Sequence, residues 1–127
     1  MANTTLSTDP LTEQILAAAI EVHLHLGPGL LESIYEQALR HELHLRDIPH
    51  EFQKQVDVLY KGVAIKGQRI DLVAFGSVVV EIKAQRRQSD CFTAQLLSYL
   101  KSTGLRSGLV LNFGKDRLVD GIQRVSF

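Results

Sequence analysis

Apolar and polar positions alternate along the chain with two distinct periods, and the change of period marks the elements. Leu11, Ile15, Ala18, Ala19, Val22 and Leu26 recur at helical spacing behind Asp9-Pro10, a good N-cap and first-turn pair, which predicts a helix over about residues 10–25. Gly27, Pro28 and Gly29 break it. Leu31, Ile34, Tyr35, Ala38, Leu39 and Leu43 then restart the helical period, and a second helix is expected to run to about Arg46. From Glu51 the texture becomes that of strands. Phe52, Val56, Val58 and Tyr60 suggest one, Lys61-Gly62 a turn, Val63 to Val73 a second strand and Val78 to Ala84 a third. Asp90 is the expected cap of a helix covering Thr93 to Ser102 and ended by Gly104. Leu109 to Leu111 reads as a short apolar strand and Ile122 to Phe127 as a terminal one. The predicted order is ααβββαβ(β), an α/β (α+β) fold with a mixed sheet flanked by helices. No repeat or long linker interrupts it, so residues 1–127 are expected to form one domain, with 1–9 a flexible N-terminal tail.

Strand periodicity also places the chemistry. Val78, Val80 and Ile82 point to one sheet face and Val79, Glu81 and Lys83 to the other. A hairpin centred on Gly76 sets opposite each other residues whose numbers sum to 152, which pairs Asp71 with Glu81 and Arg69 with Lys83. Two facing carboxylates repel unless something positive lies between them, and a divalent cation is the economical candidate. Mg²⁺ takes oxygen ligands at about 2.0–2.1 Å and keeps several waters, so one or two carboxylates suffice. Asp71, Glu81 and the carbonyl of Ile82 are the candidate metal ligands, with Lys83 beside the developing phosphate charge. A plainer alternative is a solvated strand face, with Asp71 paired to Arg69 or Lys83. Gln95 and Tyr99 lie four apart and share one face of the following helix, where an amide and a phenol can order a water or a phosphate. Glu32 falls in the first turn of the second helix, where the dipole alone justifies a carboxylate.

Charge and composition narrow the picture further. The net charge is zero, but residues 1–51 carry eight acids and two bases, residues 52–87 three acids and seven bases, and residues 88–127 three and five. Within the basic middle, Arg69, Arg86 and Arg87 are candidate nucleic-acid contacts. The hydrophobic fraction of 45% and the charged fraction of 22% are those of a globular domain, and no apolar run approaches the ~20 residues of a membrane span. The polar start has no signal-peptide pattern, which leaves a cytoplasmic address and no membrane partner. Cys91 is the only cysteine, which excludes an internal disulfide and a cysteine-based zinc site; it reads as a small buried hydrophobe. His41-Glu42-Leu43-His44 is one residue short of a zinc-protease motif. His23, His25, His41, His44 and His50 are all expected at the surface or at helix ends, and Tyr35 in the packing of the second helix.

The stretch Gly29-Leu-Leu-Glu32-Ser-Ile-Tyr35 matches a G-x-x-E-x-x-Y signature. Together with Arg69-Ile-Asp71, Val80-Glu81-Ile-Lys83-Ala84, Gln95-Leu-Leu-Ser-Tyr99-Leu and Leu111-Asn-Phe-Gly114, it makes nearly everything after residue 10 closely resemble the GxxExxY protein family. That family is placed in the PD-(D/E)XK nuclease superfamily, whose restriction-endonuclease-like core has a similar α-β-β-β-α-β order. The resemblance implies that Asp71 is the superfamily aspartate, Glu81 and Lys83 the (D/E)XK pair, and Gln95 with Tyr99 the Q-x-x-x-Y helix of RecB-like nucleases. It also implies that Glu32 is the helical glutamate that completes such sites. The expected function is Mg²⁺- or Mn²⁺-dependent hydrolysis of phosphodiester bonds, in DNA. The alternative is an inactive nuclease-fold module that binds nucleic acid or a protein partner, and a homodimer covering an exposed sheet edge is a further expectation.

Overall fold

The structure is a computed structural model that describes residues 3–4 and 9–126. Helix α1 spans Pro10–Leu26, α2 Glu32–Leu45 and α3 Asp90–Thr103; the strands are β1 Asn3–Thr4, β2 His50–Tyr60, β3 Val63–Ala74, β4 Val78–Lys83, β5 Ser107–Asn112 and β6 Ile122–Ser126. Asp9 starts α1 as its sequence suggests, its carboxylate accepting the Thr12 N–H at 2.9 Å. Gly27 stops it, with φ +67° and its own N–H returned to the His23 carbonyl. In α2 the buried positions Tyr35, Leu39 and Leu43 repeat every four residues, one stripe facing the sheet.

The six strands lie in the order β1-β6-β5-β4-β3-β2. Hairpins make β2–β3 and β3–β4 antiparallel. α3 is the crossover that makes β4 and β5 parallel, because a parallel pair needs a connection long enough to return along the sheet. Both sheet faces are therefore covered. Leu72, Val80, Ile82, Leu109 and Leu111 pack under α1 and α2, while Val73, Val79, Val110 and Val125 pack under α3 with Phe92, Leu96 and Leu100. Burial on both sides explains the near-continuous apolar run of β4 and β5.

Several expectations need correction. Residues 3–4 are not simply tail, since they pair with Val125 and Ser126 at the edge of the sheet. Ser89, not Asp90, caps α3: its hydroxyl accepts the Cys91 N–H at 3.1 Å, and Asp90 becomes the first helical residue, its charge facing the positive helix end. Cys91 is exposed rather than buried, because it falls on the outer side of that first turn. His23 does fall in the last turn of α1, but it is buried there rather than superficial; it lies on the core stripe of the helix, and its Nε2 bonds the Lys115 carbonyl at 2.9 Å. The terminal strand is described to Ser126, and Phe127 lies outside the described residues. Among the described residues no helix is long and apolar enough to cross a membrane.

Candidate active site

The turn between β3 and β4 fixes the register from which the site grows. Phe75 and Gly76 both have positive φ, +57° and +64°, the paired left-handed conformation that closes a tight hairpin, and Gly76 accepts it without a Cβ penalty. Ala74 then faces Val78, Val73 faces Val79 and Leu72 faces Val80, a register whose pairs all sum to 152. The ladder ends there. At the next level side chains replace main chain: Asp71 Oδ2 accepts the Ile82 N–H at 2.9 Å, and Glu81 Oε1 approaches the Asp71 N–H at 3.4 Å. Arg69 and Lys83 are consequently not ladder partners; Arg69 instead pairs with Gln55 of β2.

β3 also changes face at this point. Ile70 and Val73 both belong to the α3 side although they are three positions apart, so the alternation slips between them. Gln53 of β2 has a left-handed backbone, φ +53°, at the same level between the pairs Phe52–Leu72 and Lys54–Ile70. Departures of both strands from regular geometry thus open a cleft of about 800 Å³ beside Asp71.

Into this cleft the fold brings Glu32, Arg69, Asp71, Glu81, Lys83, Gln95 and Tyr99 from four elements. Glu81 is 2% exposed, and burial, reinforced by the Asp71 charge, pushes its carboxyl up to about 8; the Lys83 ammonium, 3.7 Å from Oε2, opposes that rise. Burial also raises Asp71, against the stabilising Ile82 N–H and the nearby Lys83 charge. Glu32 is raised by its partial burial at the cleft mouth and then by Asp71. On the opposite wall Lys83 Nζ donates to Gln95 Oε1 at 2.8 Å, and Gln95 Nε2 donates to the Tyr99 hydroxyl at 2.9 Å. Burial, and then the Glu81 charge, push that phenol up to about 12, so Tyr99 stays protonated as a neutral partner.

Arg86 and Arg87 do not line the cleft. The loop after β4 carries both away, and Arg86 is held by the Gly114 carbonyl at 2.6 Å and by Asp116 at 3.0 Å. Ile82 is buried, and its main-chain N–H is the group seen to border the acids.

The sequence pattern left several contributors unassigned. Gln53, Gln55, Gly67, Gln68, Ser33 and Glu36 complete the lining, with the Gln53 amide bonded to the Glu36 carboxylate. Asn112 is fully buried; its Oδ1 accepts from Gln85 N at 2.9 Å and Gly114 N at 3.0 Å, which anchors the chain leaving β4 just past Lys83. A polar residue inside the apolar run Leu109-Val-Leu-Asn112-Phe was the available signal, because buried amides are found where their bonds are met. Tyr35 explains the spacing of the signature around Glu32. Its hydroxyl donates to the Gly27 carbonyl at 2.5 Å and accepts the Leu30 N–H at 3.1 Å, and its ring stacks on Phe113. The loop that delivers Glu32 is thereby tied to the core.

Among the described residues no group of three or more His, Cys, Asp or Glu gathers as a complete ligand set. The donor chemistry nevertheless suits a hard cation that keeps water. Each of Asp71 and Glu81 uses one carboxylate oxygen toward a main-chain N–H, Glu81 Oε2 faces the Lys83 ammonium only at 3.7 Å, and the mutual repulsion of the two ionised acids is what a cation would relieve.

No curated protein and no solved structure matches the chain. A family model does match, over residues 9–125, which takes in all three helices, strands β2 to β5 and every residue of the cleft. With the mixed sheet flanked by helices of a restriction-endonuclease-like fold, that match establishes that the chain belongs to the PD-(D/E)XK nuclease superfamily.

Proposed function

We propose that the chain is a divalent-cation-dependent nuclease that hydrolyses phosphodiester bonds in DNA. One observation carries the reading: Asp71 and Glu81 converge where the β3–β4 ladder ends, with the Lys83 ammonium 3.7 Å from Glu81. Asp71 and Glu81, with the main-chain carbonyl of Ile82, would hold Mg²⁺ or Mn²⁺. Such a cation supplies Lewis acidity toward a phosphoryl oxygen and helps an attacking water lose its proton. Lys83, fixed by Gln95 and through it by Tyr99, places positive charge where negative charge develops on the phosphate. Glu32, its carboxyl raised by partial burial and by Asp71 at the cleft mouth, can order water there. Arg69, exposed on the rim, meets the nucleic-acid backbone, and Arg87 offers a contact to flanking phosphates outside the cleft. The G-x-x-E-x-x-Y spacing supports placing the chain in the GxxExxY group, and an exposed free thiol at Cys91 suits a reducing, cytoplasmic setting.

An inactive module that holds nucleic acid in this cleft by charge alone is disfavoured. Four acids, Glu32, Glu36, Asp71 and Glu81, face two bases, Arg69 and Lys83. Labelled single-stranded and duplex DNA, incubated with the protein in Mg²⁺, Mn²⁺ or EDTA, test the proposal. Cleavage should require the cation and should disappear in Asp71→Asn and Lys83→Ala. Cleavage in EDTA, or undiminished in those variants, removes this mechanism, and salt-sensitive binding without turnover in either cation would favour the inactive module.

A further inference from the structure

Outside the cleft, α2 and β2 form a second depression, lined by Gln37, Arg40, His41 and His44 of α2 and by His50 of β2. No acid lines it. The Arg40 guanidinium lies 3.1 Å from the centre of the Phe52 ring. Its Nε is buried without a hydrogen-bond partner, and among the described residues no carboxylate lies within ion-pair distance of it. A half-buried guanidinium stacked on an aromatic ring and left without a counter-charge suits an external anion, and the planar fork of arginine matches phosphate. Gln37 adds an amide, and among the described residues the rings of His41 and His44 bond no protein group.

The depression continues the cleft. Ser33 and Glu36 of α2, with Gln53 and Gln55 of β2, line the cleft, and the next turns of the same helix, with His50 at the start of the same strand, line the depression. From Ser33 to His44 the helix advances about 16 Å at ~1.5 Å per residue, a span of several nucleotides. Phe52, 44% exposed, adds a partly open aromatic surface between the two.

We propose that the Arg40 depression is a second, non-catalytic phosphate site, which holds the backbone of the substrate strand several nucleotides from the scissile bond. It rests on the nuclease reading for its substrate, but its binding can be measured without turnover. In EDTA, a fluorescent single-stranded oligonucleotide of about 12 nucleotides should bind Arg40→Ala about tenfold more weakly than wild type, with the salt slope of binding reduced by ~0.7 per lost phosphate contact. His41→Ala/His44→Ala, at two exposed positions, should weaken binding in the same direction and guards against a folding defect in Arg40→Ala. In NMR spectra of the wild type, inorganic phosphate should shift the ring signals of His41 and His44 and spare those of His23 and His25. Unchanged affinity and slope in both variants, or no phosphate response at His41 and His44, overturns the proposal. Loss of binding in the variants together with no cleavage by wild type in any cation upholds this site and removes the nuclease reading. Metal-dependent cleavage with both variants binding like wild type does the reverse.

Discussion

Asp71 ends the β3–β4 ladder with its own side chain, accepting the Ile82 N–H at 2.9 Å and so bringing its carboxylate beside Glu81. One residue thus serves the fold and the charge cluster, and substitutions separate the two roles. Asp71→Asn keeps an acceptor for Ile82 but removes the charge. It should lower cleavage by about 100-fold or more while making the metal-free protein more stable at alkaline pH, where Glu81 is ionised and loses its repelling neighbour. Asp71→Ala leaves the Ile82 N–H unmet and should be about 1–3 kcal/mol less stable than Asp71→Asn. Urea denaturation of the pair decides the point: equal stabilities would mean that the hydrogen bond contributes nothing.

Glu81 gives the metal-free protein a pH dependence of definite sign. Its carboxyl titrates at about 8 in the folded chain against an ordinary value of 4.5, chiefly through burial and then through Asp71. Across that interval the folded state binds the proton that the unfolded state has released, so stability falls as pH rises and levels off above about 8. Asp71, also raised, acts in the same direction from a lower starting point. The melting temperature in EDTA should therefore decline from mildly acidic to mildly alkaline pH, and Glu81→Gln should flatten the decline. Mg²⁺ should raise the melting temperature most at the alkaline end, where both carboxylates are ionised. A melting temperature that climbs with pH in EDTA would contradict the assignment.

The same residues show how far the sequence could be read. The 152-sum register was legible because Gly76 fixes the hairpin and a two-fold side-chain period leaves no freedom after that. Gln95 and Tyr99 were legible because four residues on a helix return to one face. Other features were set by partners distant in sequence or by backbone angles that composition does not encode. Ser89 and Asp90 are adjacent and equally suited to cap α3; only the extended backbone at Ser89, φ −143°, decides between them. Gln53 reaches Glu36 because its left-handed backbone breaks the strand alternation that a period-two reading assumes. His23 is buried against a carbonyl 92 residues away, which no local pattern announces.

Tyr35 couples the core to the delivery of Glu32, and removing one oxygen tests this. Tyr35→Phe keeps the stack on Phe113 but leaves the Gly27 carbonyl and the Leu30 N–H without their partner. Stability should fall by about 1–3 kcal/mol in urea denaturation. Cleavage should fall as well, because Glu32 begins the helix that this loop positions. A variant as stable as wild type would show that the loop is held by other contacts.

Lys83 is positioned by a neutral amide, and the identity of that partner matters more than its presence. Gln95 presents its oxygen to Lys83 Nζ and its nitrogen to the Tyr99 hydroxyl, so the ammonium is oriented without being neutralised. Gln95→Ala releases Lys83 toward Glu81 and should reduce cleavage by about 10- to 100-fold, with little change in stability because residue 95 is exposed. Gln95→Glu should be worse than Gln95→Ala, although it restores a hydrogen bond, because it cancels the charge that the phosphate needs and adds a further acid to an already acidic cleft. Tyr99→Phe, which removes only the far anchor, should cost least. Rates ordered as wild type, Tyr99→Phe, Gln95→Ala and Gln95→Glu would establish orientation of the Lys83 ammonium as the role of this wall. Activity retained in Gln95→Glu would show that Lys83 acts only as a packing group.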